Sequence, residues 1–354
     1  MKNPIYKSVV YLIAMITVAI LSLTSCAGEY ISTDIITDKD NSRVVINEAH
    51  WQDLNLIILP EAYRAEDMEN FKQDVAKVYN MLQNVKPYCY MLDRITVSYS
   101  TACVSQSNEL GSGRTALGCG VPDDRVLALN NDSINKAIKW LKSPAGNDVV
   151  LVIVNTDAYI GCTWMSTAAD YMPVAVCAAN DYCFITAVIH ELGHAIGQLE
   201  DEYVEYNTPI PAKEIKKMKG WQKAGFFLNV SLDATNVYWK RIIEDVDYQH
   251  EGTGVYEGGG LYASGVYRST ENSVMRTHNR PDYNAVSRYL IYQQVMKCHT
   301  GVEPLYSEFK REDLAYPDKE WDWQSANKPT NPKRKSAPAR QDQEMHHHHC
   351  IVWK

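Results

Sequence analysis

From Phe184 to Leu199 the only formally charged side chain is Glu191, and it stands in the pattern His190-Glu191-Leu192-Gly193-His194. Apolar residues on every side of the helical period predict a helix over Tyr182–Ile196 that is buried all round. Two imidazoles and a carboxylate inside such a helix are costly unless they are paired or bind a metal. Positions i and i+4 share one helix face, so His190 and His194 can hold a single ion. Zinc with three protein ligands keeps a place for water and lowers its pKa to roughly 7. Glu191, on the neighbouring face, is then the general base that takes the proton from this water. A chance match in an ordinary helix is the competing explanation, and the charge-free surroundings weigh against it.

The rest of the chain supplies a frame for that helix. Leu54–Leu59 reads as a strand ended by Pro60, and Ala65–Val85 as an amphipathic helix stopped before Pro87. Ile95–Val104 alternates as a strand, and residues 105–125 are a Gly- and Ser-rich loop. Ser133–Leu141 is expected to be a short helix capped by Asp132 or Ser133. Val149–Val154 is a continuous aliphatic run, the mark of a strand buried on both faces. Val174–Cys177 is a further strand, and Tyr283–Met296 a further helix. This order implies an α/β (α+β) domain: a mixed twisted sheet, a packed active-site helix and a loop-rich C-terminal part over 205–282.

The first 25 residues read as an address. Lys2 and Lys7 precede the apolar run Val9–Leu23, and Leu23-Thr24-Ser25-Cys26 resembles a bacterial lipobox. That makes 1–25 a lipoprotein signal peptide, Cys26 the lipid-bearing membrane attachment, 26–42 a tether and the bacterial cell envelope the location. The remaining organisation is a catalytic domain over 43–316 and a Pro-, Lys- and Gln-rich tail over 317–354, expected to be disordered. The tail includes His346–His349, which is assigned no catalytic part. The formal net charge of −8 argues against nucleic acid as a partner. Eight cysteines follow Cys26 without any C-x-x-C pair, so a cysteine-based zinc site is not expected.

His190 through Tyr203, ending in Leu199-Glu200-Asp201-Glu202-Tyr203, resembles the signature of the bacterial IgA-peptidase family of zinc peptidases. Gly265-Val266-Tyr267-Arg268-Ser269-Thr270-Glu271-Asn272-Ser273-Val274-Met275-Arg276 and Leu56–Tyr63 are similar to two further family blocks. The resemblance implies a metzincin-like fold with Met275 as the Met-turn below the zinc. The chain departs from the family at Pro60-Glu61-Ala62-Tyr63, at Tyr159-Ile160-Gly161-Cys162 and at Tyr267-Arg268-Ser269. These segments shape substrate binding, so immunoglobulin cleavage does not carry over.

The third metal ligand lies between two neighbours. Metzincin spacing points to Glu200, and the family's Asp-Glu-Tyr element points to Asp201. A helix continued to position 201 would leave Asp201 about 16 Å along the axis from His190, so the chain must break near Gly197 and turn back. Asp201 is taken as the ligand, having the shorter side chain. Tyr203 and Tyr267 could donate to an oxyanion but are expected to pack, and His278 is expected at the surface. The resulting expectation is a lipid-anchored zinc endopeptidase acting on a protein or peptide, host secreted or glycosylated proteins among them. The alternative is a catalytically weak relative that binds proteins or glycans.

Overall fold

The computed structural model describes residues 43–123, 126–168 and 171–330. Residues 1–42, where the signal peptide, the lipid-bearing Cys26 and the tether are expected, and residues 331–354 lie outside them. Among the described residues no helix is long and apolar enough to cross a membrane, and Cys89, Cys103, Cys119, Cys162, Cys177 and Cys298 are free thiols.

The main sheet takes β1 (Arg43–Asn47), β2 (Leu54–Glu61), β3 (Ile95–Ser100), β4 (Asp148–Val154), β5 (Gly161–Trp164) and β6 (Val174–Ala178) in the order β1-β3-β2-β4-β6-β5. β3, β2, β4 and β6 are parallel, and the edge strands β1 and β5 are antiparallel to their neighbours. The sheet is therefore mixed, as the sequence predicts. Every residue of β2 and of β4 is buried, which explains their unbroken aliphatic runs. Alternate side chains go to opposite faces. Leu56, Ile58, Leu151 and Ile153 join one core cluster, and Ile57, Leu59, Val150 and Val152 join another.

α1 (Met68–Asn84) packs on the first face, and α2 (Asn131–Ala137) lies on the second with the loop residues Leu117, Cys119 and Leu127. The cap of α2 is Asn130, which accepts from Ser133 N at 3.1 Å, two or three residues earlier than the sequence suggests. The Asx side chain two positions before Asp132 competes for the same role and wins, because it alone precedes the first helical residue.

α3 (Phe184–Gly197) joins α1 on the first face, and all of its residues are buried. Beyond it the chain is more ordered than its turn-rich composition suggests. β7 (Val204–Pro209), α4 (Ala212–Lys223), β8 (Val230–Ser231), the single turn α5 (Lys240–Ile243), β9 (Tyr256–Gly259) and β10 (Leu261–Arg268) build a second sheet of order β7-β10-β8, with β9 also on β10. Its core is small: Ile210, Met218, Trp221, Phe227, Val230 and Val266 with Met165.

α6 (Ala285–Thr300) then returns against α3, where Gly197 permits contact. A Cβ there would lie 2.6 Å from Ile291 Cγ1. α7 (Tyr306–Ala315) and α8 (Trp323–Ala326) follow. Residues 317–330, the start of the tail expected to be disordered, are among the described residues. Asn327 Oδ1 accepts from Ile185 N at 2.7 Å and Thr186 N at 3.3 Å, and Thr330 Oγ1 donates to Asp74. These distant partners hold a segment whose composition offers little apolar surface of its own.

Candidate metal centre

The site is built at the C-terminal end of α3. The helix stops because Gln198 adopts the left-handed conformation (φ 53°, ψ 35°). Its N–H returns to His194 O, and Leu199 N donates to Gly193 O at 3.3 Å. The reversal carries Asp201 back to the imidazoles. Asp201 Oδ1 lies 3.0 Å from His190 Nε2 and 3.2 Å from His194 Nε2, and the two Nε2 atoms are 3.0 Å apart. All three residues are buried. Among the described residues they form a cluster able to hold a metal ion.

The two tautomers follow from the partners on the far side of each ring. His190 Nδ1 lies 3.0 Å from Val274 O, and His194 Nδ1 lies 2.7 Å from Leu199 O. A carbonyl can only accept, so both Nδ1 atoms carry the proton. With both imidazoles neutral, as a metal ligand requires, two Nε2 lone pairs and a carboxylate oxygen are turned toward one another. Without a metal, a proton on His194 fills the same need. Burial pulls the His194 pKa down, but the Asp201 carboxylate outweighs it and pushes the value up to about 10. The cluster therefore demands a positive charge at its centre. Tetrahedral zinc with bonds of about 2.0–2.1 Å separates its ligand atoms by about 3.3 Å, close to the spacings here. The residues fit a metal, and carbonyl acceptors on both Nδ1 atoms are the usual support of metal-bound histidines.

Glu200 is turned elsewhere. Its Oε1 accepts from Asp201 N at 3.0 Å. Asn229 braces this stretch by accepting from Glu200 N at 2.7 Å and donating to Glu200 O and to Glu202 Oε1. Tyr203 is buried, and its hydroxyl donates to Asp201 Oδ2 at 3.1 Å. Glu202 accepts from Ser273 Oγ at 2.6 Å, while its N–H donates to Met275 O at 2.9 Å. Burial raises the Glu202 pKa against the pull of these donors. The Asp-Glu-Tyr element and the Met275 block are thereby joined, and the same block presents Val274 O to His190.

Met275 is fully buried, and its Sδ lies 2.7 Å from where a Cβ on Gly193 would stand. It packs directly beneath the turn of α3 that carries His194. Tyr267 stands in β10 opposite Ser231.

Glu191 is held by the edge strand. Thr163 Oγ1 lies 2.7 Å from Glu191 Oε2 and 3.0 Å from Glu191 O. Gly161 leaves room for the carboxylate: a Cβ there would stand 3.1 Å from Oε1. Burial raises the Glu191 pKa, opposed by His190, His194 and the Thr163 hydrogen bond.

Several of these residues were not read from the sequence. Thr163 follows directly on the departing stretch Tyr159–Cys162, which was its only signal. Glu202 gave none beyond the family block, and Asn229 gave none. His278, expected at the surface, is buried, with its ring centroid 5.2 Å from that of His190 and its Nδ1 3.5 Å from Tyr159 Oη. The turn in which Arg276 N and Thr277 N both reach Ser273 O keeps the chain folded under the site, and His278 with it.

No curated protein matches the chain. A family model described as IgA Peptidase M64 matches residues 45–249, which include the whole His190–Tyr203 stretch and end before the Met275 block. That span is more than half of the sequence, and a buried His-His-Asp cluster lies within it: the chain belongs to the IgA Peptidase M64 family, a family of peptidases that implies a metal cofactor.

Proposed function

We propose that this protein is a zinc endopeptidase with His190, His194 and Asp201 as the metal ligands and Glu191 as the general base. The observation that carries this reading is the convergence of two Nε2 atoms and Asp201 Oδ1 within 3.0–3.2 Å while both Nδ1 protons are committed to carbonyls. Bound there, zinc supplies the Lewis acidity that lowers the pKa of a water and stabilises charge on the scissile carbonyl.

The chain's own residues do the rest. Thr163 fixes the Glu191 carboxylate so that it takes the proton of the attacking water and returns it to the leaving amine. β5 lies at the end of the sheet order, with β6 as its strand neighbour. Within it only Trp164 is partly exposed, and Gly161, Cys162 and Thr163 are buried beside Glu191. Met275 supports the turn of α3 beneath His194 in the manner of a metzincin Met-turn.

The location belongs to the same proposal. Export and lipid attachment through Cys26 rest on the N-terminal residues alone, and the substrate is a protein or peptide met at the bacterial envelope. The test is elemental analysis of the purified chain together with cleavage of a mixed peptide library. One zinc per chain and internal cleavages that stop on chelation and return with zinc are expected. A metal-free chain that still hydrolyses peptides would overturn the reading.

A further inference from the structure

The C-terminal segment builds a second recess. Residues 318–323 face Asn84–Lys86 and the start of α6 across a cleft of 810 Å³. The size lies within the roughly 300–1,000 Å³ of small-molecule sites. None of the three metal-cluster residues lines it.

The charges in the cleft are largely paired among themselves. Lys86 Nζ lies 3.0 Å from Asp318 Oδ1, and Arg288 Nη2 lies 2.6 Å from Glu251 Oε1. Arg280 pairs with Asp282. Lys319 and Glu320 add one charge of each sign, so the lining carries no formal net charge with His250 neutral. An ionic ligand would compete with pairs already made, and an apolar ligand would strand polar groups against itself. Two half-buried indoles, Trp321 and Trp323, line the same cleft. The ligand that suits such a lining is uncharged, rich in hydroxyls and apolar on one face.

We propose that this cleft binds a neutral saccharide. The C–H face of a pyranose stacks on an indole. Its hydroxyls meet carboxylate, guanidinium and amide groups, Asn272 among them, that can donate or accept in pairs. The segment bearing the indoles is tied at both ends, by Asp318 to Lys86 and by Asn327 to the start of α3. Asp322 caps α8 between them, accepting from Ser325 N at 3.0 Å. Trp321 is also packed against the main core. Side chains held in advance lose little freedom on binding, which favours a ligand of modest intrinsic affinity.

The inference does not depend on the peptidase reading. The full chain is titrated with neutral oligosaccharides containing mannose, galactose or N-acetylglucosamine, with a sialylated counterpart and with an unglycosylated peptide, by calorimetry and tryptophan fluorescence. A neutral oligosaccharide binds at micromolar to millimolar concentration and changes the fluorescence. Trp323→Ala and Asn272→Ala each weaken it by at least about tenfold, and hydrolysis of an unglycosylated peptide stays within about twofold. Asn272 is exposed, so its variant keeps the test decisive if Trp323→Ala does not fold. Absence of saccharide binding, preference for the sialylated ligand or the peptide, or undiminished binding in a folded variant would each overturn the proposal.

Discussion

Leu199 presents its carbonyl 2.7 Å from Nδ1 of His194, five residues earlier in the chain. One contact thus joins the end of α3 to the imidazole it positions. The left-handed Gln198 makes the contact possible, and the same reversal brings Asp201 within 3.2 Å of both Nε2 atoms. The turn and the proposed metal ligands are a single structural unit. Asp201→Ala should therefore lose most of its bound metal, while Glu200→Ala should keep it, because Glu200 Oε1 accepts from Asp201 N and is not part of the His-His-Asp cluster. Metal content of both purified variants checks this. Retention by Asp201→Ala with loss by Glu200→Ala would reassign the ligand.

Glu191→Gln preserves shape and leaves both imidazoles untouched, and Thr163 Oγ1 can still donate to the amide oxygen. Hydrolysis should fall by about 10²–10⁴-fold, the usual contribution of a positioned general base, with metal retained. A kinetic comparison at equal metal loading decides it. Near-normal turnover in the variant excludes the base role.

How much of this was legible in the sequence depends on distance along the chain. β2, β4 and α3 announce themselves because burial on all sides leaves unbroken apolar runs. The second sheet does not. β7 is half-exposed to exposed along its length, and β9 includes two glycines, so neither shows the apolar alternation of a strand. In the site, the i, i+4 spacing of His190 and His194 is a local signal. The proximity of Asp201 needed a turn at a non-glycine residue, which no propensity marks. Thr163, Val274 and His278 reach the site from remote parts of the chain, and their roles exist only in the folded packing.

Gly193 lets α3 approach the Met275 block closely. A Cβ there would stand 2.7 Å from Met275 Sδ and 3.0 Å from Tyr283 Cε1. Gly193→Ala should destabilise by about 1–3 kcal/mol through overpacking and weaken metal binding by displacing His194. Met275→Leu nearly conserves volume and should cost under about 1.5 kcal/mol. Loss of metal affinity in Met275→Leu beyond what that cost explains marks the Met-turn role. Unchanged affinity and kinetics mark plain packing. Denaturant melts with metal titrations measure both.

Asn327 caps α3 from 142 residues further along the chain, since the Cys183 side chain at the N-cap makes no capping hydrogen bond. Asn327→Ala should cost about 0.5–2 kcal/mol, the range for a lost helix cap. Equilibrium unfolding measures it, and a change near zero would show that Ile185 N and Thr186 N find other acceptors.

Asp74 gives the fold a dependence on pH. Burial raises its pKa from 3.8 to about 6, although the hydroxyls of Thr330 and Tyr63 and the charge of Lys77 pull the other way. Tyr63 Oη donates to its Oδ2 at 2.7 Å, and Thr330 reaches Oδ1. Between the two pKa values the folded chain holds a proton that the unfolded chain has released. The stability this contributes is complete below pH 3.8, declines as pH rises through about 6, and is absent above it. A shift of about two units corresponds to roughly 3 kcal/mol. Asp74→Asn removes the titration, and both hydroxyls can rotate to suit an amide. Relative to wild type, the variant should therefore gain up to about 3 kcal/mol between pH 4 and pH 7.5. Subtracting the two unfolding curves cancels every other group, including those that bind metal. A difference that stays flat across this range would mean that Asp74 titrates alike in the folded and unfolded chain.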